Sequence, residues 1–382
     1  MTRGKPAKLM LKFALPVVLT NLGQQLYMIV DAAIVGRGVG VDALAAVGCT
    51  DWTYWIILWS VQVMTQGFAT FVSRYFGRRD YQKMNQTITM SFLLSLIIGA
   101  AFTLAGMGLA RPVLAAMDTP ANILDDAVVY LSTMAAGTLV VTGYNLAGSI
   151  LRAFGDVKSP LWAMIIAALL NIALDLVFVM VFKWGVFGAA LATGLSQTVG
   201  AGMPLLWFLS RSNNSALHFT RTRIELGAIL KASANGSSEM MSSVSASITG
   251  ILYNLQLMKY AGEDGVGACG VVMYAAFIFL GIFVGYSTGS APVMGYHYGA
   301  QNHAEIKNVL KKSLTLLAAS AVVLTALAML FARTLSKLFI GYDANLLEMT
   351  THAFTICSIP FLFMWFNIYT SSFFTALNDG MV

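Results

Sequence analysis

Asn171 and Asp175 lie four residues apart in the apolar segment NIALDLVFVM, residues 171–180. In an α-helix this spacing places both side chains on one face. An amide oxygen and a carboxylate one turn apart suit a hard cation, which prefers oxygen ligands. A buried carboxyl group can equally carry a proton. The pair therefore predicts a site for a small cation and leaves open whether that cation is a metal ion or a proton.

Three more acidic residues, Asp31, Asp51 and Glu239, also fall inside apolar segments. A charged residue at the centre of a membrane helix costs about 2.5–3.5 kcal/mol on insertion scales, so each is a candidate functional residue. Asp51 lies near the outer end of its segment, where it could face a water-filled cavity. Glu239 lies near the middle of its segment among small residues, which also suits close helix packing.

Asp31 shares one helical stripe with Asn21 and Gln24. This stripe is consistent with a polar lining of a cavity. A plainer interpretation is a polar packing seam, or an ion pair between Asp31 and Arg37.

The composition indicates the environment in which these residues are buried. The chain has 382 residues, of which 58% are hydrophobic and 10% are charged; soluble domains carry about 25% charged residues. These values indicate an all-α protein that crosses a membrane many times, and they exclude soluble folds. A net charge of +6 in such a protein reflects cytoplasmic loops, so no nucleic-acid partner is expected.

Apolar runs long enough to cross a bilayer predict ten membrane-spanning helices. They lie near residues 13–36, 42–72, 87–110, 124–151, 160–182, 186–210, 227–258, 265–296, 309–331 and 350–377. If the N-terminus is cytoplasmic and the segments alternate, 17 of the 23 Lys and Arg residues fall on the cytoplasmic side. This skew follows the positive-inside rule and predicts a cytoplasmic N-terminus.

The chain repeats itself at a nearly constant offset. GFATFVSRYFG (67–77) matches GSAPVMGYHYG (289–299) at 222 residues, and ILRAFGD (150–156) matches FFTALND (373–379) at 223. About six spans separate the copies, so both cross the membrane in the same sense. This predicts two parallel lobes of six helices, as in some secondary transporters.

The repeat also predicts domain boundaries. The first lobe covers residues 1–211, a cytoplasmic linker covers 212–226, and the second lobe covers 227–382. Only four spans follow the linker, so we expect ten of twelve helices to be present and the last two to be missing from the second lobe.

Five stretches of this sequence resemble the multidrug and toxic compound extrusion (MATE) transporters. They run in order along nearly the whole chain: VDAAIVGRGVGVDALAAVG (30–48), YFGRRDYQKMNQTI (75–88), ILRAFGDVKSP (150–160), GVFGAALATGLSQ (185–197) and YHYGAQNHAEIKNVLKKSL (296–314). The second half is most similar to the bacterial branch of sodium- or proton-driven multidrug pumps.

The resemblance implies a V-shaped pair of lobes and a function. It implies an antiporter in the bacterial inner membrane that exchanges Na⁺ or H⁺ for organic cations or drugs. No further cofactor is expected, the partners are the cargo and the lipid bilayer, and the chain is expected to act as a monomer.

The resemblance also implies a cation site in the first lobe. The family uses an Asp on the first helix, an Asn and an Asp on the fifth and a Thr on the sixth, which match Asp31, Asn171, Asp175 and Thr193 in this sequence. A buried polar network that only orders the helices is the alternative.

Several other polar residues are candidates for the cavity or the substrate site. On the first-lobe helices these are Asn21, Gln24, Tyr130 and Gln197, and on the seventh helix they are Glu239, Asn254 and Gln256. Each could instead make an ordinary interhelical contact.

Two other functions remain as alternatives. A lipid-linked oligosaccharide flippase of the same superfamily is expected to line its cavity with cationic residues, whereas the first-lobe spans carry acids. An intramembrane enzyme is disfavoured because the sequence has no H-E-x-x-H motif and no His in a metal-binding spacing.

Overall fold

The computed structural model describes residues 6–117, 119–209, 219–220, 226–339, 344–377 and 379. Across this part of the chain the secondary structure is helical, with no strand. Helices satisfy their own backbone hydrogen bonds, so they are the form that long apolar segments adopt in hydrocarbon.

The first half of the chain forms six helices joined by short turns. They are α1 (Pro6–Gly38), α2 (Val41–Arg78), α3 (Tyr81–Ala116), α4 (Ala121–Phe154), α5 (Lys158–Asp175) and α6 (Gly185–Leu209). A π-helical turn, Leu176–Val181, extends α5 directly after Asp175.

The second half forms α7 (Leu226–Gly299), α8 (His303–Phe339), α9 (Ala344–Cys357) and α10 (Phe361–Ala376). Two predicted spans lie within α7, which is interrupted at Gly262 by a backbone conformation outside the helical region (φ 62°, ψ −155°). One predicted span, 350–377, is instead divided between α9 and α10, which meet at an angle of 47° next to Pro360.

Each of the ten predicted spans coincides with a helical segment once α7 is counted as two arms and α9 with α10 as one bent span. Within the described residues, five helices are long and apolar enough by composition alone to cross a membrane, and six if the bent pair is included. The expected helical membrane fold is therefore confirmed.

The core is divided between the two halves of the chain. One cluster in the first half joins α1, α2, α4 and α6 through residues such as Val35, Val47 and Leu131. The largest cluster belongs to the second half, around Phe283 and Tyr369, and it includes Ala14 from α1. The first helix therefore packs against both halves.

The internal repeat is visible in the backbone at the turns that follow α2 and α7. Arg79 and Gln301, which are 222 residues apart, both adopt the left-handed conformation, with φ of 60° and 56°. One residue later, the side chains of Asp80 and Asn302 accept hydrogen bonds from the backbone N–H groups of Lys83 and Glu305, each at 3.1 Å. The two turns therefore have the same geometry.

The second repeated motif shows the same correspondence. After α4, the backbone N–H of Asp156 donates to the carbonyl oxygen of Leu151 at 2.9 Å. After α10, Asp379 donates to Phe374 in the same way at 3.0 Å. The offset is 223 at both positions, as the sequence predicts.

The predicted linker, 212–226, lies mostly outside the described residues. Its two described loop residues lie against α3: the backbone N–H of Thr220 donates to the Thr89 hydroxyl at 3.0 Å, and the rings of Phe219 and Phe92 meet edge to face, 5.0 Å apart. The lobe boundaries themselves stay predictions.

The two halves touch through a reciprocal contact at the ends of α2 and α7. A methyl carbon added to Gly77 would overlap the carbonyl oxygen of Tyr296, and one added to Gly299 would overlap the carbonyl oxygen of Arg74. Gly77 and Gly299 are repeat partners, as are Arg74 and Tyr296. The contact therefore has the two-fold symmetry expected of two related lobes.

A second close contact joins α1 to the second arm of α7. Methyl carbons added to Gly285 and Gly289 would lie 2.7 Å from the Cα atoms of Val18 and Ala14. Only glycine allows two helices to approach so closely at these positions. All these contacts lie at the end of the bundle that the positive-inside rule assigns to the cytoplasm.

We predict that Gly77→Ala and Gly299→Ala each destabilise the protein by similar amounts, because each methyl group would force the same two backbones apart. Overpacking of this kind costs about 1–3 kcal/mol. Thermal unfolding of the purified protein in detergent measures the effect. Gly108→Ala is the control, since no atom lies within 4 Å of its added methyl group. A loss of stability in the control alone would contradict the prediction.

Candidate cation site

Asp175 is fully buried at the point where α5 changes from an α-helix to a π-helix. In the π-helical turn, the N–H of Phe182 donates to the carbonyl oxygen of Val177 at 2.8 Å, five residues back. Such turns are rare and are found mainly at functional sites, because they redirect the side chains around them. The sequence does not predict this turn.

The carboxyl groups of Asp175 and Asp31 face each other in hydrogen-bonding contact between α5 and α1. Two carboxylates cannot hydrogen bond to one another unless one is protonated. Both oxygens of Asp175 and Oδ1 of Asp31 have no hydrogen-bond donor in the described part of the chain. The pair therefore requires a proton or a cation to be stable in a buried position.

Asn171 and Thr193 lie beside this pair and bind each other. The Asn171 amide nitrogen donates to the Thr193 hydroxyl at 3.2 Å, which ties α5 to α6. This bond uses the amide nitrogen, and the amide oxygen, Asn171 Oδ1, accepts no hydrogen bond from the described residues. Asn171 lies one helical turn before Asp175 on α5, and carboxylate and amide oxygens are the ligands that hard cations prefer.

The alternative ion pair for Asp31 is not formed. The salt bridges among the described residues join Lys83 to Asp80 and Arg111 to Asp125. The Arg37 side chain is exposed. Asp31 thus has Asp175, and not Arg37, as its charged neighbour.

Tyr27 is a member of this site that the sequence analysis missed. It lies one turn before Asp31 on α1, within electrostatic range of both carboxyl groups, and its hydroxyl is hydrogen-bonded to the side chain of Gln197. The i, i+4 spacing of Tyr27 and Asp31 was the available signal, but tyrosine is common in apolar helices. Gln197 is thereby placed next to the carboxyl pair.

The other predicted cavity residues are more dispersed. Tyr130 is buried in the apolar cluster that contains Val35 and Val179, and Asn21 and Gln24 are half-buried on α1. On the first arm of α7, the Gln256 side chain is exposed. The side chains of Asp51, Glu239 and Asn254 lie outside the described residues.

A comparison with known families identifies the family of the chain. The family model MatE matches residues 16–177 and again residues 239–382. The chain belongs to the MatE family. The two matched segments begin at residues 16 and 239, which is the repeat offset found within the chain.

Curated relatives of this MatE chain include bacterial multidrug proteins. The probable multidrug resistance protein YpnP of Bacillus subtilis is 30% identical over 198 residues, covering 52% of this chain and 44% of YpnP. The multidrug export protein MepA of Staphylococcus saprophyticus is 22% identical over 368 residues, covering 93% of this chain and 79% of MepA. The chain thus matches less than half of the length of YpnP.

Solved structures of MATE proteins have the same fold. A crystal structure of MATE in complex with MaL6 has a TM-score of 0.93 at 24% identity and covers 99% of this chain and 85% of that chain. An outward-facing multidrug resistance MATE family transporter of the MOP superfamily has a TM-score of 0.92 at 25% identity, with coverage of 99% and 84%.

We predict that Thr193→Val lowers the stability of the protein by about 1 kcal/mol, because it leaves the buried Asn171 amide without its acceptor. Thermal unfolding measures the change. Thr198→Val on the same helix is the control, since the Thr198 hydroxyl bonds to the Gly194 carbonyl of its own helix at 2.7 Å. Equal melting temperatures for the two variants would contradict the prediction.

We also predict that Asp175→Asn raises the melting temperature in the absence of added ions. The variant replaces one charge of the facing pair with an amide that can donate to Asp31. Acidification should stabilise the wild-type protein more than the variant, because protonation relieves the same repulsion. Asp126→Asn, at an exposed position, should leave both measurements unchanged. A less stable Asp175→Asn protein would contradict the prediction.

Proposed function

We propose that this MatE protein exports organic cations or drugs across the bacterial inner membrane in exchange for Na⁺ or H⁺. The observation that carries the proposal is the pair of facing carboxyl groups, Asp31 and Asp175, which has no salt bridge among the described residues and whose oxygens, apart from Asp31 Oδ2, have no hydrogen-bond partner there. A pair of this kind is stable when it holds a cation or a shared proton. An incoming ion can therefore change the free energy of the surrounding helices.

The first helix connects the carboxyl pair to the contact between the lobes. Asp31 lies in the predicted outer half of α1, and Val18 and Ala14 lie about 20 and 26 Å away at 1.5 Å per residue, against the glycines of α7. Neutralising Asp31 and Asp175 would bring α1 and α5 closer at the site. Because α1 also packs on the second half, this change would alter the relative stability of the two access states.

The arrangement of the lobes suggests the state that the structure represents. The close glycine contacts lie at the predicted cytoplasmic end, which supports an outward-facing form with a cytoplasmic N-terminus. In this form the cation site would be reached from outside, as an exchange for outgoing cargo requires. We expect a monomer to perform the whole cycle.

The cargo assignment rests on charge and on the relatives. The spans of the first lobe carry acidic side chains in their interior, and acids attract organic cations. The names of YpnP and MepA refer to multidrug resistance and multidrug export. A flippase for lipid-linked oligosaccharides is the alternative, and it would respond to lipid-linked sugars instead of drug cations.

The proposal is tested by transport in proteoliposomes. An imposed Na⁺ or proton gradient should drive the accumulation of a fluorescent organic cation by the wild-type protein. Asp31→Asn and Asp175→Asn should each reduce gradient-driven transport at least tenfold, because the bound ion would no longer change the charge of the pair.

Asp126→Asn is the matched control and should retain wild-type transport. The Asn variants must also reach wild-type levels in the membrane, which fluorescence of a fused reporter can measure. Unchanged Na⁺ and proton dependence in both Asn variants would refute the coupling role. Transport of a lipid-linked sugar without any drug transport would support the flippase instead.

A further inference from the structure

A small cavity of about 40 Å³ lies between the two lobes at the predicted cytoplasmic end, where α2, α4, α7 and α10 meet. Its walls follow the internal repeat. On α2 and α7 the lining residues include Gln66 with its repeat partner Thr288, and Thr70 with its partner Pro292. We call this space the axial cavity, because paired residues from both lobes surround it.

The walls formed by α4 and α10 are paired in the same way, with one exception. Ser149 faces the cavity from α4, and its partner Ser372 does so from α10. One turn further along, Arg152 lines the cavity from α4, whereas its partner on α10 is Thr375. The axial cavity therefore contains a single cationic side chain that breaks its symmetry. Arg152 lies one residue beyond the span predicted near residues 124–151, and it belongs to the last turn of α4.

The Arg152 guanidinium has few partners for its five N–H groups. Its Nη2 atom donates to the Ser149 hydroxyl at 2.9 Å. Neither salt bridge of the described residues involves Arg152. A half-buried guanidinium without a carboxylate is favourable when an anion occupies the space beside it.

Thr375, opposite Arg152, provides an independent observation. Its side chain is 4% exposed, and its hydroxyl has no hydrogen-bond partner among the described residues. The backbone carbonyl of Thr375 is already used, since it accepts a hydrogen bond from the Asn235 side chain at 3.0 Å. The hydroxyl is thus a buried donor without a partner, and Thr375 lines the same cavity as Arg152.

We propose that the axial cavity binds a small oxyanion, such as a phosphate group, between the guanidinium of Arg152 and the hydroxyl of Thr375. Guanidinium groups bind phosphate oxygens with two parallel hydrogen bonds, and the hydroxyl supplies a third donor. The anion contacts both lobes, so it stabilises the form in which the lobes meet at this end. This site is separate from the carboxyl pair, and its binding does not depend on transport.

The test uses the complete chain in nanodiscs of zwitterionic lipid. Inorganic phosphate is titrated while the ionic strength is held constant with chloride, and the melting temperature is recorded. The wild-type protein should show a saturable increase of several degrees with phosphate. Equal increases with phosphate and chloride would overturn the proposal, because they would reflect screening alone.

Variants locate the site. Arg152→Gln should abolish the phosphate response, and Thr375→Val should weaken it by about tenfold in phosphate concentration, a loss of about 1.4 kcal/mol. Arg79→Gln is the matched control, since Arg79 is an exposed arginine at the same end and its repeat partner is Gln301. A wild-type response in Arg152→Gln would overturn the proposal.

The repeat offers a rescue experiment that does not depend on one variant folding well. In the double variant Arg152→Thr, Thr375→Arg, the charge moves to the symmetric position across the axial cavity. This variant should regain the phosphate response that Arg152→Thr loses. Failure of the double variant to respond, although it melts cooperatively, would contradict binding between these two residues.

A second arm identifies the source of the phosphate group. Nanodiscs that contain phosphatidylglycerol, without free phosphate, are compared with the zwitterionic discs. If the melting temperature rises only in the phosphatidylglycerol discs, and only when Arg152 is present, the site binds a lipid headgroup. If it rises with inorganic phosphate, the site binds a free anion. If neither arm produces an increase that depends on Arg152, the proposal is wrong.

Discussion

The rest of this structure depends on two carboxyl groups, Asp31 and Asp175, that face each other in an apolar interior. Neither has a basic partner among the described salt bridges, and burial strengthens their repulsion. The helices that hold them have two unusual local features. A π-helical turn follows Asp175, and a hydrogen bond from Asn171 to Thr193 joins α5 to α6. In the proposed function, a proton or a cation at this point stabilises the arrangement.

In the proposed function, the internal repeat connects a local charge to distant helices. The turns after α2 and α7 have the same capping geometry, and the glycines beside them, Gly77 and Gly299, contact the partner lobe reciprocally. In the proposed cycle, symmetric contacts of this kind would let the two lobes meet and separate as units, because a small set of equivalent backbone approaches holds them together. Arg152 and Thr375 depart from this symmetry, and this difference is the basis of the proposed anion site.

Most of the fold could be predicted because hydrocarbon permits few alternatives to the helix. Ten apolar runs predicted ten helical segments, and the offset of 222–223 predicted two related halves. The errors lie where packing overrides pattern. The π-helical turn after Asp175 has no signal in the sequence, whereas the break expected near residues 259–264 is confirmed at Gly262, inside α7. Tyr27 was missed because its polar atom matters only next to Gln197.

The sequence by itself determined that the chain lies in a lipid bilayer, that it is helical and that it contains a repeat. It also supplied the residue types that a cation site needs. It did so because hydrophobicity, periodicity and offset are properties of the chain alone. Only the tertiary structure decided which of the buried polar residues meet. Asp31 and Asp175 are 144 positions apart in the chain, and Arg152 and Thr375 are 223 apart. Contacts over such separations depend on how the helices pack, and pattern along the chain does not record that packing.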